Sequence, residues 1–157
     1  MEISFTKNSG KSHIISCRRN DGTVTWMQNS SFFITHDLCH YALETKLGLK
    51  KAFYGMLAAG TDINDFELPK DQRTFQLTEE AILAEQMVNL LTIEYSQGRI
   101  ENFVSMLNEI CHRDTNLSKL PDIKTETLDE IRNLYNGLMN QWVLLPEEET
   151  MILKFEE

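Results

Sequence analysis

Long apolar runs are missing from this 157-residue sequence, and nothing in it approaches the roughly 18 to 20 apolar residues that cross a bilayer as a helix. The opening Met1-Glu2-Ile3-Ser4-Phe5 also lacks the basic-then-apolar region of a secretory leader. Cysteine is scarce: Cys17, Cys39 and Cys111 are odd in number and not closely spaced, so reduced thiols in a cytoplasm are expected rather than a disulfide framework. With only 3 Pro and 7 Gly, collagen-like and low-complexity readings are excluded. Positive charge is in the minority, 15 Lys+Arg against 24 Asp+Glu, and the net charge of −9 repels phosphate backbones. The best basic patch, Lys46 with Lys50 and Lys51, is short, so neither nucleic acid nor membrane is an expected partner. What remains is an ordinary globular composition, 41% hydrophobic and 25% charged, sized for a single domain over residues 1–157.

The first thirty residues read as β structure. Strands are expected at Ile3 to Lys7, His13 to Arg19 and Thr23 to Met27, with Asn20-Asp21-Gly22 as a hairpin turn. Helical signals follow. Thr35 is a good N-cap and Gly48 a good C-terminal residue for a first helix, and Leu49 to Ala59 predicts a second, shorter one before Gly60. The polar stretch Thr61 to Phe75 reads as a long surface connection, the kind of loop that carries function or moves. Thr78 with Glu79 and Glu80 predicts the start of a long helix, with Leu77, Ala81, Ala84, Val88, Leu91 and Tyr95 on its apolar face and Gly98 at its end. Ile100 to Cys111 carries the next helical pattern, followed by a loop at Pro121. Thr127 and Glu130 have the spacing of a capping box ahead of a stripe from Leu128 to Trp142, which Pro146 stops. Met151, Leu153 and Phe155 alternate with other residues and predict a last strand. The expected class is therefore α+β: about five helices packed on a small antiparallel sheet made from the N-terminal hairpin and the C-terminal strand.

The chemistry concentrates in Thr35 to Glu44 (THDLCHYALE). With successive helical residues turning by about 100°, His40 lies about 40° from His36, Glu44 about 80° and Asp37 about 100°. Leu43 and Leu47 fall beside the same sector, so these polar groups face the core. Buried polar side chains need partners, and a divalent metal ion, zinc favoured, is one way to supply them. The spacing H-x-x-x-H puts two imidazoles one turn apart, where both can reach one ion. His36 and Asp37 are expected in the first helical turn, where the dipole favours neutral imidazole and ionised carboxylate. Glu44 lies about 12 Å along the axis from His36 at 1.5 Å per residue, far for a third ligand on one unbroken helix. It serves either as a ligand or as an acceptor for the second nitrogen of His40. Glu85, bordering the apolar face of the long helix, is the best distant ligand candidate, with Asp62 and Asp65 behind it.

His36-Asp37-Leu38-Cys39-His40 resembles the HExxH helix of zinc metallopeptidases. The resemblance implies His36 and His40 as ligands and Asp37 in place of the family's glutamate base, as the proton carrier. Aspartate is one methylene shorter, and no glycine breaks the helix before Gly48. The longer pattern H-D-x-x-H-Y-x-x-E, with the Gly55/Gly60 segment, the D-I-N-D loop and Trp142 to Pro146, is similar to a group of small bacterial proteins, from about Phe32 to the C-terminus. That likeness implies a bacterial source and a compact domain, and no activity.

Other signals carry less. Gly10-Lys11-Ser12 ends like a P-loop, but Phe5 stands where the first glycine belongs. Cys39 points away from the histidines and reads as a small apolar residue. A Cys–His pair from Cys17 or Cys111 with His13 or His112 has no local support, and the two histidines read as surface or capping residues. Two functional classes follow. One is a metal-dependent hydrolase of a small molecule or peptide, with His36, His40 and Glu44 or Glu85 on the ion and Asp37 handling protons. The other is a non-catalytic structural or partner-binding protein whose His/Asp/Glu cluster is a buried hydrogen-bond network.

Overall fold

The computed structural model describes residues 1–10, 12–114, 117 and 122–156. The expectations at Lys11 and Pro121 fall outside the described residues. Within them the architecture is α+β. Strands β1 (Glu2–Thr6), β2 (Ser12–Arg18) and β3 (Val24–Ser30) are followed by helices α1 (Ser31–Leu47) and α2 (Phe53–Ala58) and a short 3-10 helix (Ile63–Glu67). Helices α3 (Glu79–Gln97), α4 (Phe103–Asp114) and α5 (Thr125–Leu144) and strand β4 (Thr150–Lys154) complete the chain.

All pairings in the sheet are antiparallel, in the order β3-β2-β1-β4, so the C-terminal strand joins the N-terminal strands in one sheet as expected, on the β1 edge. Register places Met151, Phe5, Ile15 and Met27 in one row across the sheet, all buried against the helices. The period of two is what makes this one face apolar. Ile152, which breaks the alternation, points outward and is 58% exposed. The turn between β2 and β3 forms where Asn20-Asp21-Gly22 places it: Gly22 takes φ 86°, and Asp21 accepts from the backbone N–H of Thr23 at 2.9 Å.

Helix α1 begins at Ser31, four residues before Thr35. Ser30 is still extended as the last residue of β3, and the chain turns straight into the helix without a side-chain cap. Thr35 instead donates its hydroxyl to the Phe32 carbonyl at 2.7 Å, inside the helix. His36 and Asp37 therefore sit in the second turn, and a dipole argument confined to the first turn does not apply to them. Gly48, at φ 65°, ends the helix as expected. Helix α5 likewise starts at Thr125, ahead of the expected capping box. Glu130 is inside the helix and pairs with Lys46 at 3.1 Å. The far end of α5 is capped by a distant residue: the Lys7 ammonium donates to the carbonyls of Trp142, Val143 and Leu145 at 2.9, 3.0 and 2.8 Å. A cation there satisfies orphan acceptors and complements the negative helix end.

Thr78 caps α3 as predicted, accepting from the Ala81 N–H at 3.0 Å. Two residues of the expected apolar stripe leave it: Leu77 and Tyr95 are 43% and 46% exposed, at the rims of two different clefts. Among the described residues no helix is long and apolar enough to cross a membrane. Cys17, Cys39 and Cys111 are buried thiols outside any disulfide, and burial pushes the Cys17 thiol up to about 12. His13 is a further correction, because it is not a surface residue. It is buried in the sheet's inner face, edge-on to Trp142 with ring centroids 5.0 Å apart, and bonded to Ser31 Oγ at 2.8 Å.

Candidate metal centre

Helix α1 packs between the sheet and helices α3 and α5, so the face that carries Asp37, His40 and Glu44 is buried. Glu44 is wholly inaccessible, and its two oxygens have separate tasks. Oε1 lies 3.1 Å from His40 Nδ1. Oε2 accepts the backbone N–H of Tyr54 at 2.9 Å, in the first turn of α2. The residue before that helix, Ala52, has no capping side chain, so a carboxylate from α1 takes the place of a cap. The approach requires Gly55, because a Cβ there would come within 2.1 Å of the Lys50 carbonyl oxygen. A turn spanning Lys50 to Gly55 thus closes tightly, and the Tyr54 N–H within it reaches Glu44 Oε2.

Glu85 arrives from α3 on the opposite side of the imidazoles. Its Oε2 is 3.3 Å from His40 Nε2 and its Oε1 is 3.4 Å from His36 Nε2. The two rings are tilted with centroids 4.8 Å apart, and the ligand atoms of His36, His40 and Glu85 all lie within 4.8 Å of one another. Ligands on a tetrahedral ion with bonds of about 2.0 Å are about 3.3 Å apart, and the two Glu85 contacts match that spacing. Separations of up to 4.8 Å within the group must draw in for all three to share one divalent ion. The group can hold a metal ion.

The second nitrogens complete a pattern. His40 Nδ1 faces Glu44, and His36 Nδ1 faces Asp37 Oδ1 at 3.7 Å. Each imidazole therefore has a buried carboxylate on Nδ1 and turns Nε2 toward Glu85. Metal-bound histidines are ordinarily oriented in this way, by a carboxylate on the ring nitrogen away from the ion. Glu44 lies on the far nitrogen of His40, and Asp37 stands in the same relation to His36. Asp62 and Asp65 are engaged elsewhere: Asp62 accepts from the Asn64 N–H at 2.9 Å and Asp65 from the Thr74 hydroxyl at 2.8 Å.

Electrostatics follow from three carboxylates around two imidazoles. Burial pushes Asp37 and Glu44 above the ordinary carboxylate range. Glu85 goes the other way, because hydrogen bonds from His36 and His40 hold it well below that range. Burial alone lowers His40, but its bonds to Glu44 and Glu85 outweigh this and raise it to about 9. His36 is raised in the same manner, with Asp37 and Glu85 outweighing burial. The cluster thus attracts positive charge, which protons or a divalent cation can supply.

The site opens on a cleft of about 400 Å³. Glu85 is 47% exposed there and His36 20%. Phe53, Phe66 and Phe75 form a chain of ring contacts, with centroids 4.9 and 4.6 Å apart, and Phe53 also packs on His40 at 5.3 Å. Phe66, Glu67 and Arg73 belong to the 61–75 connection, so the segment expected to carry function walls the cleft. No spacing or motif in the sequence marked Phe53, Phe66 or Arg73 individually.

Comparison with protein-family models, with curated proteins and with solved structures gives no match to this chain.

Proposed function

We propose that this chain is a metal-dependent hydrolase, most at home with zinc, acting on a small molecule or peptide. One observation carries the reading: both imidazoles are backed on Nδ1 by a buried carboxylate and converge through Nε2 on Glu85, at the edge of an open cleft. Three protein ligands with solvent access on one side are the arrangement of catalytic zinc, whereas structural zinc is closed by four. His36, His40 and Glu85 bind the ion, and Glu44 orients His40. A metal ion bound there would lower the pKa of a coordinated water and supply a nucleophile near neutral pH. Asp37 acts first through His36: its carboxylate, 3.7 Å from Nδ1, favours the proton on that nitrogen so that Nε2 presents its lone pair. Direct proton transfer by Asp37 is the stronger role that the HExxH likeness implies. Buried thiols at Cys17, Cys39 and Cys111 support a reducing, cytoplasmic setting, and the net charge of −9 disfavours nucleic acid as substrate. A bacterial source rests on the sequence likeness alone.

A second reading has its own support. Each oxygen of Glu85 meets one Nε2, at 3.4 and 3.3 Å, so two imidazolium rings would satisfy all three carboxylates without an ion. The protein would then be a non-catalytic module with a buried polar network. Equilibrium dialysis of untagged protein against zinc separates the two. The hydrolase reading expects one ion per chain, lost in His36→Ala, His40→Ala and Glu85→Gln. It also expects zinc-dependent cleavage of an activated aryl ester that vanishes with the ion. A wild-type protein that retains no zinc at micromolar concentrations sinks it.

A further inference from the structure

The cleft beside the candidate metal centre is apolar on most of its walls, with Phe33, Phe53, Phe66 and Leu77 among the lining side chains. Phe33 and Leu77 are each 43% exposed at its mouth, apolar area that a ligand would cover. Beyond the two histidines of the candidate centre, one basic side chain lines it. Arg73 is half-buried and fixed: Nε donates to the Leu68 carbonyl and Nη2 to the Phe66 carbonyl, both at 2.9 Å. Two backbone acceptors hold the guanidinium in place without neutralising it. Among the described residues no carboxylate lies within ion-pair distance, although Glu67 lines the same cleft, and Nη1 makes no hydrogen bond. In this chain of net charge −9 the buried Arg132 is matched by two carboxylates. Arg73, like half-buried Arg19 on the Leu57 and Thr61 carbonyls, is instead anchored by backbone oxygens; of the two, Arg73 lines the cleft.

A guanidinium kept rigid at an apolar wall is a preformed receptor for a planar anion. A volume of about 400 Å³ is at the low end of small-molecule sites, and too small to enclose a folded partner. We propose that the cleft binds a small amphipathic organic acid, with its anionic group on Arg73 and an aromatic-sized apolar body against Phe53 and Phe66. This inference rests on the hydrolase reading for its meaning, since it names the class of substrate that would lie beside the metal, but binding itself needs no metal.

The test uses two probes that share an apolar body and differ in charge: 1-anilinonaphthalene-8-sulfonate and neutral N-phenyl-1-naphthylamine. Each is titrated by fluorescence into the native full chain, with near-ultraviolet circular dichroism confirming fixed tertiary structure, with and without zinc. The wild type should bind the sulfonate at one site, and Arg73→Gln should weaken it by about tenfold or more while leaving the neutral probe unchanged. Leu77→Asp, at an exposed rim position, should weaken both probes. Should Arg73→Gln lose its tertiary signal, Arg73→Lys carries the test: it keeps the charge, loses the fork and should bind the sulfonate at an intermediate affinity. Equal affinity of the two probes for the wild type, or an equal effect of Arg73→Gln on both, overturns the proposal. Failure to retain zinc overturns only the hydrolase reading, because the probe comparison in metal-free protein does not depend on it.

Discussion

Helix α3 carries two acidic side chains that are each tied to basic partners, Glu85 toward one end and Glu94 toward the other, and the two clusters are built from different bases. Glu94 is held by a guanidinium: Arg132 Nε and Nη2 meet its two oxygens at 2.6 and 2.8 Å, and Nη1 reaches Asp129 at 2.8 Å. The same carboxylate accepts the Ile100 N–H at 3.1 Å, so three of its roughly four acceptor sites are taken. Arginine does not release a proton, and the fork leaves no lone pair for a metal. Glu85 is held by two imidazoles, which can exchange protons for an ion. The groove beside Arg132 is of similar size, about 460 Å³ against about 400 Å³, yet its charged groups are already matched. Chemistry of the bases, not cavity size, marks the α1/α3 end as the candidate site and the α3/α5 end as a structural clamp.

Breaking the clamp should give the largest effect. Arg132 and Glu94 have side-chain exposures of only 9% and 10%, so Arg132→Met strands a nearly buried carboxylate. We expect a loss of about 3–5 kcal/mol in urea unfolding, with zinc affinity unchanged. Zinc should act in the opposite sense at the other end. At 100 times its dissociation constant it should stabilise the wild type and Arg132→Met by about 2.7 kcal/mol each, and His40→Ala not at all. A zinc response lost with Arg132 would merge the two regions into one network and break the comparison.

Next in size is Glu44→Gln. The amide can still accept the Tyr54 N–H, so α2 should stay in place, but the negative charge behind His40 is gone. Zinc affinity should fall by about 10- to 100-fold, measured by competition with a chromophoric chelator, with little change in unfolding midpoint of the metal-free protein. An unchanged affinity would mean that Glu44 serves only the α2 turn.

The two regions also differ in how far the sequence discloses them. The H-D-x-x-H-Y-x-x-E run announces the α1 half of the site because helical spacing alone puts those groups in one sector. Glu85 could be ranked from its own helix face, though its distance from the histidines depends on how α1 and α3 pack. Arg132, Glu94 and Asp129 gave no signal: the clamp joins three residues from two helices, and each reads alone as a solvated charge. The sheet was legible through period-two alternation and the Asn-Asp-Gly turn, as far as the C-terminal strand joining the N-terminal strands; the register that sets Met151 opposite Phe5 was not. The start of α1 was not. Ser30 to Ile34 mixes hydroxyls with exposed phenylalanines, and Thr35 looked a better cap than the strand residue that actually precedes the helix. Buried His13 escaped for a related reason, since a histidine at an inward strand position reveals its partner, Trp142, only after folding.

The smallest effect on metal should come from Asp37→Asn, and it decides what this residue does. Asp37 is 6% exposed and its carboxylate stands 3.7 Å from His36 Nδ1, beyond a normal hydrogen bond and longer than the 3.1 Å between Glu44 and His40. Its hold on the ring is weaker than that of Glu44, so the loss of zinc affinity should lie near tenfold, the lower end for residues that support a ligand. If Asp37 acts only through His36, saturating zinc restores aryl-ester turnover in Asp37→Asn, because the amide oxygen still accepts the Nδ1 proton. If Asp37 carries the proton of the attacking water, turnover stays low at full zinc occupancy, since an amide takes up no proton near neutral pH. The positioning role predicts the first result. A variant fully loaded with zinc yet inactive would give Asp37 the part that glutamate plays in the HExxH helix, and would require its carboxylate to swing from His36 toward the cleft it already lines.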